Sequence, residues 1–190
     1  MGMPVATERY WTAEDVRQLP EDGSRYECVG GVLLVSPSPR QVHQAAVFEL
    51  FHLLVDFVQE NALGSLLGSP AAVGLTPDDI VQPDLFVLPL AGGAPMRAWT
   101  EVGRLVLAVE VVSPSTVRTD RGHKRTLYKE KGVPEYWIVD LGARSVERWR
   151  PDDSAPDTLD DTLAWRPAAD VPPLVIDLPA YFDRVHGLAV

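Results

Sequence analysis

The stretch from Leu105 to Lys124 constrains the fold more than any other part of the chain. Leu105-Val106-Leu107-Ala108-Val109 and Val111-Val112 form an almost unbroken apolar run. Such a run is the pattern of a central strand covered on both faces. Glu110 interrupts it, and a carboxylate at that depth costs several kcal/mol unless a cation or a metal compensates it. A structural ion pair with an arginine would answer that need, and so would a functional site. Ser113-Pro114-Ser115-Thr116 ends the strand, and a basic helix carrying Lys124 follows.

The pattern around this strand alternates hairpins and helices. Thr12 to Asp15 reads as a capping box opening a short helix that Pro20 stops. Tyr26–Val29 and Val32–Val35 flank Gly30-Gly31, a two-residue hairpin signal. A long amphipathic helix is expected from about Arg40 to Asn61, with Val47, Leu50, Leu54 and Val58 on its apolar face. Leu66 to Leu75 reads as a strand pair or a bulged strand, and Val81 to Leu88 as one strand with Asp84 near its start. A loop through Gly92, Gly93 and Pro95 leads to the central strand. The basic helix is expected from Thr119 to Lys131 and the last strands at Glu135–Asp140 and Ser145–Arg150; an acidic loop, the Thr162–Trp165 segment and a terminal helix near Pro179–Arg184 complete the domain. The expectation is a single α/β domain over residues 1–190, a mixed β-sheet flanked by helices.

Composition narrows the function. The chain is 46% apolar and 23% charged, as soluble domains are. No apolar run reaches membrane-spanning length, and Met1 to Thr12 lacks a signal-peptide core, so a cytoplasmic location is the default expectation. A lone cysteine, Cys28, excludes an internal disulfide and any multi-cysteine metal centre. The net charge of −10 argues against binding nucleic acid through the overall field. The cations are concentrated instead: Arg118, Arg121, Arg125 and Lys129 lie in the stretch that leads into and forms the basic helix, in a pattern that either follows a phosphate backbone or forms a solvated face. Phosphate loops, His-Glu-x-x-His and Gly-x-Ser-x-Gly are all absent. What remains is Pro83-Asp84, then Glu110, then Lys124. Two carboxylates on neighbouring strands offer hard oxygen ligands to Mg²⁺ or Mn²⁺.

Those residues resemble the PD-(D/E)xK nuclease superfamily, and much of the chain resembles its Uma-type restriction-endonuclease-like branch. The resembling stretches are Arg25-Tyr-Glu-Cys-Val-Gly-Gly-Val-Leu33, Ser36-Pro-Ser-Pro39, Val81-Gln-Pro-Asp84, Val109-Glu-Val-Val-Ser-Pro-Ser-Thr116, and Lys124 through Gly132-Val-Pro-Glu-Tyr-Trp-Ile-Val-Asp140. The resemblance implies a restriction-endonuclease-like core and Mg²⁺- or Mn²⁺-dependent hydrolysis of phosphodiester bonds in DNA. Asp84 and Glu110 would be the metal ligands, Lys124 the positioning cation and Glu27 an accessory acid. Glu27 could equally pair with Arg25 or a helix. His43 reads more readily as a structural histidine than as a phosphate contact, and Tyr128 as a packing residue.

This chain departs from the superfamily pattern at two positions. The superfamily lysine sits two residues after the acid, where this chain has Val112; the Uma-type branch moves it to the following helix, which makes Lys124 the candidate. Gly30 stands where such hairpins carry an acid. A homodimer would address both strands of a duplex, although no sequence feature specifies one. The competing expectation is a non-catalytic nucleic-acid- or protein-binding module on a decayed nuclease fold, favoured by the acidic net charge and by Val112.

Overall fold

A computed structural model describes residues 9–90, 104–113 and 116–187. Helix α1 (Ala13–Arg17) opens with the expected capping box: Thr12 Oγ1 accepts from the Asp15 amide and Asp15 Oδ2 accepts from the Thr12 amide. Strands β1 (Arg25–Val29) and β2 (Val32–Ser36) form the hairpin. Gly30 and Gly31 both have positive φ, at 56° and 80°, as a two-residue turn of this hand requires. Helix α2 (Gln41–Glu60) then runs almost over the expected span.

The next segment alternates between two sheets. Strands β3 (Ser65–Gly68) and β6 (Leu85–Leu88) pair in a large sheet, while β4 (Val73–Gly74) and β5 (Ile80–Val81) join the hairpin in a small one. Two expectations change here. The Leu66–Leu75 stretch holds two strands, β3 and β4, but they join different sheets rather than pairing with each other. The Val81–Leu88 strand is broken at Gln82-Pro83-Asp84, because Pro83 has no N–H to give a ladder. The chain passes from one sheet to the other at this break.

Strand β7 (Leu107–Val112) is central in the large sheet, whose order is β10-β9-β8-β7-β6-β3. It pairs antiparallel with β6 and parallel with β8 (Glu135–Asp140). A parallel neighbour demands a crossover. A continuous helical run supplies it: α3 (Val117–Thr119), a π-helical turn (Asp120–Lys124) and α4 (Arg125–Glu130). Strand β9 (Ser145–Trp149) follows, then β10 (Asp157–Leu159), a two-strand sheet of β11 (Thr162–Trp165) and β12 (Leu174–Asp177), and helix α5 (Leu178–Val185). The sequence reading did not anticipate β10 or β12. The loop through Gly92, Gly93 and Pro95 lies outside the described residues.

Side chains of β7 alternate between two cores. Leu107, Val109 and Val111 pack with Leu50, Leu54 and Val58 of α2, with Trp137 and Trp165, and with Tyr181 and Phe182 of α5. Ala108 and Val112 face the other way, onto Leu127 and Tyr128 of α4 and Val29 and Val81 of the small sheet. Glu110 shares that second face, by the two-residue period of a strand. The β6–β7 register pairs Leu85 with Val109, so its continuation sets Asp84 opposite Glu110. No helix among the described residues is long and apolar enough to cross a membrane.

Gly64 shows how tightly the β3–β6 edge is closed. Its φ is +149°, and a Cβ built there would lie 1.8 Å from the Leu88 carbonyl oxygen. Gly64→Ala is expected to destabilise the protein by about 3 kcal/mol or more, from backbone strain and forced separation of the strands. Urea unfolding of the two proteins measures it.

Candidate active site

Four carboxylates and three basic side chains converge where β7, the small sheet and the π-helical turn meet. Lys124 is the hub and is only 2% exposed. Its Nζ lies 2.8 Å from Glu110 Oε1, 2.9 Å from Glu27 Oε1 and 3.6 Å from Asp120 Oδ1. Burial alone would lower the lysine pKa, but the charges of Glu110, Glu27 and Asp120 outweigh it and keep the ammonium protonated. Glu27 Oε1 also accepts from the Gln82 amide at 2.6 Å, and Tyr128 donates its hydroxyl to Glu110 Oε1 at 3.3 Å.

The π-helical turn brings Asp120 and Lys124, four residues apart, to the sheet side together. Its wider winding loosens the backbone hydrogen bonding, and Tyr136 donates its hydroxyl to the Asp120 carbonyl there at 3.1 Å. Asp84 forms the second half of the cluster. Oδ1 accepts from Arg25 Nη1 at 2.9 Å, and Oδ2 accepts from the Val111 amide at 2.8 Å and faces His43 Nε2 at 3.1 Å. Arg25 Nη1 also donates to the Gln82 carbonyl at 2.8 Å.

The two central acids sit in different electrostatic states. Burial works to raise the Asp84 carboxyl, but the hydrogen bond with His43 and the Arg25 charge prevail and hold it below the usual carboxylate range. Burial pushes Glu110 well above that range, against Lys124, and the neighbouring Asp120, Asp84 and Glu27 add to the rise. Asp120 is raised as well, chiefly by burial. The cluster holds more carboxylates than permanent cations. Asp84, Glu110, Asp120 and Lys124 all line one cleft of about 480 Å³, together with Arg25 and His43.

The structure therefore brings together the sequence candidates Asp84, Glu110, Lys124 and Glu27. It also adds residues that the sequence reading left out or read as packing. Arg25 sits two residues before Glu27 on one strand, hence on the same face. Asp120 sits one helical turn before Lys124. His43, expected to be structural, and Tyr128, expected to pack, each bond a central carboxylate. Ser113 lies in a turn with Thr116, whose Oγ1 accepts from the Ser113 amide at 3.1 Å.

The basic face is placed differently from the site. Arg121 pairs with Glu147 at 2.6 Å and Asp140 at 3.2 Å, Arg125 stacks on the Trp149 ring at 3.9 Å, and Lys129 donates to the Asp153 carbonyl. Arg118 is exposed, beside Val117 at the cleft wall.

This fold and this acidic, lysine-centred cleft define a restriction-endonuclease-like protein. A family model described as "Putative restriction endonuclease" matches residues 13–178, and the chain belongs to that family, Uma2. Among solved structures it is similar to a protein from Anabaena variabilis described as "a putative nuclease belonging to DUF820". The identity is 17% and the TM-score 0.74, over 92% of this chain and 98% of that one. No curated protein matches the sequence.

Removing the hub has a calculable consequence for stability. Lys124→Met removes the ammonium while keeping an unbranched side chain. Three buried carboxylates would then lose their common cation, at a cost of about 3–5 kcal/mol. Adding Glu110→Gln to Lys124→Met is expected to restore part of that loss, which a double-mutant cycle in urea would show.

Proposed function

We propose that the protein is a metal-dependent endonuclease that hydrolyses phosphodiester bonds in DNA. The observation that carries this reading is the convergence of Asp84, Glu110 and Lys124, far apart in sequence, at one cleft. Among the described residues no three His, Cys, Asp or Glu side chains form a ready metal cage. The donor set nevertheless suits Mg²⁺ or Mn²⁺. Two opposed carboxylates supply hard oxygen, and Mg²⁺ keeps several waters rather than filling its sphere with protein. The excess of buried carboxylate over cationic charge is what a divalent ion would balance. When bound, such an ion would acidify a water and offset phosphoryl charge.

The chain's own residues then have distinct roles. Asp84 and Glu110 would hold the ion. Asp84 is oriented for this by Arg25, His43 and the Val111 amide, and Glu110 by Lys124 and Tyr128. Lys124 supplies positive charge at the cleft floor, where negative charge develops on the phosphoryl group. Glu27 and Asp120 are positioning residues that fix the ammonium. The family description supports DNA as substrate, and exposed Arg118, next in sequence to cleft-lining Val117, would add positive charge for its backbone.

A non-catalytic DNA-binding module on this fold is the second reading. It is favoured by the closed pairing of Asp84 with Arg25 and of Glu110 with Lys124. Supercoiled-plasmid nicking in Mg²⁺ and Mn²⁺ separates the two. Glu110→Gln is expected to lower nicking by about two to four orders of magnitude, as loss of a preorganised charge does. Binding without nicking would favour the module, and nicking that survives Glu110→Gln would withdraw the site. Calorimetry should show weak Mn²⁺ binding that Asp84→Ala abolishes.

The basic helix yields a separate test. Arg118→Gln is expected to reduce the salt dependence of DNA binding by about one unit of slope. Arg121→Gln, whose cation is already paired, should change the slope less and the stability more. Anisotropy titrations across a salt series measure both.

A further inference from the structure

The end of α2 at the cleft is electrostatically unfinished. Its N-cap, Arg40, makes no capping hydrogen bond, and its first turn carries no acid. The amides of that turn therefore point their partial positive charge outward without a side-chain acceptor. Arg40, Val42 and His43, all from this end, line the cleft beside Arg25.

Two further observations point to an anionic occupant. Arg25 spends only Nη1 on Asp84 and the Gln82 carbonyl. Its Nε and Nη2 have no partner among the described residues, so a second edge of a pinned guanidinium faces unused. His43 is only 9% exposed, with Nε2 fixed on Asp84, yet its Nδ1 is buried and has no hydrogen-bond partner. That nitrogen has no surface open to the cleft, so an anion there would meet the α2 amides and the arginines instead. Arg40 is exposed and makes no ion pair among the described residues, which leaves its charge for the rim.

We propose that the first turn of α2, with Arg25 and Arg40, is a phosphate-binding subsite that takes the nucleic-acid phosphate next to the one at Asp84 and Glu110. This inference rests on the nuclease reading for the identity of its occupant. The subsite gives a strongly acidic protein a local means of holding a polyanion. Helix amides and a preorganised arginine fork bind phosphate without help from the overall field. The rigid anchoring of Arg25 through Gln82 means that little side-chain freedom is lost on binding.

The test is anisotropy of a short, fluorescein-labelled single strand of mixed sequence in Ca²⁺, with melting temperatures measured alongside. Gln41→Glu places a negative charge in the first turn. It should hold or raise the melting temperature through the helix dipole while weakening the oligonucleotide about fivefold. Arg40→Gln should weaken it by a similar factor, and Arg25→Gln by about tenfold. Affinities within about twofold of wild type for both Gln41→Glu and Arg40→Gln would overturn the subsite. In the competition arm, inorganic phosphate should displace the strand only in the millimolar range. Displacement at micromolar concentration would assign the site to free phosphate and overturn the nucleic-acid occupant. Plasmid nicking keeps the two proposals apart. Affinity losses without wild-type nicking would retain the subsite and remove the nuclease, whereas nicking with unchanged affinities would do the reverse.

Discussion

The structure depends on one buried ammonium. Lys124 meets Glu27 from the small sheet, Glu110 from the large sheet and Asp120 from its own helical run. Each of these acids is buried, and none has another lysine near enough to replace it. In a low-dielectric interior such a cluster is stable only when complete, because each missing partner leaves charge without compensation. The surrounding architecture serves that requirement. The hydroxyls of Tyr128 and Tyr136 close the cluster from the helix and sheet sides, and the π-helical turn sets Asp120 and Lys124 in phase.

Much of this was legible in local sequence. The Leu105–Val112 run could only be a central strand, and a carboxylate within it had to be compensated. The capping box at Thr12, the Gly30-Gly31 turn and the periodicity of α2 are signals that lie within one element, and each was realised. The break at Gln82-Pro83-Asp84 is masked in the sequence because the apolar residues on both sides suggest one strand. Only the pairing of β5 with β1 and of β6 with β7 reveals two. The π-helical turn has no sequence signature comparable to a cap.

The site was half legible for the same reason. Asp84, Glu110 and Lys124 stand out because each is a charged residue in or beside an apolar element. Arg25 and Asp120 do not, since their roles arise from partners that tertiary structure brings close. The basic helix misleads in the opposite direction. Its cations look available in sequence, but Glu147, Asp140 and Trp149 come from β8 and β9, which follow the helix in the chain and pack beside it. The likeness to the Anabaena structure, at 17% identity and a TM-score of 0.74, shows that this arrangement of elements tolerates wide change in sequence.

The Gln82-Pro83-Asp84 crossing has a mechanical consequence. Within these three residues the Gln82 amide holds Glu27, the Gln82 carbonyl holds Arg25, and Asp84 holds the Val111 amide. Glu27 and Arg25 belong to the small sheet, and Val111 belongs to the large one. Sliding one sheet over the other would therefore stretch ion pairs and short hydrogen bonds together. The seam behaves as an electrostatic weld rather than a greased joint. Any ligand that redistributes charge at the cleft floor also changes how stiffly the two sheets are coupled.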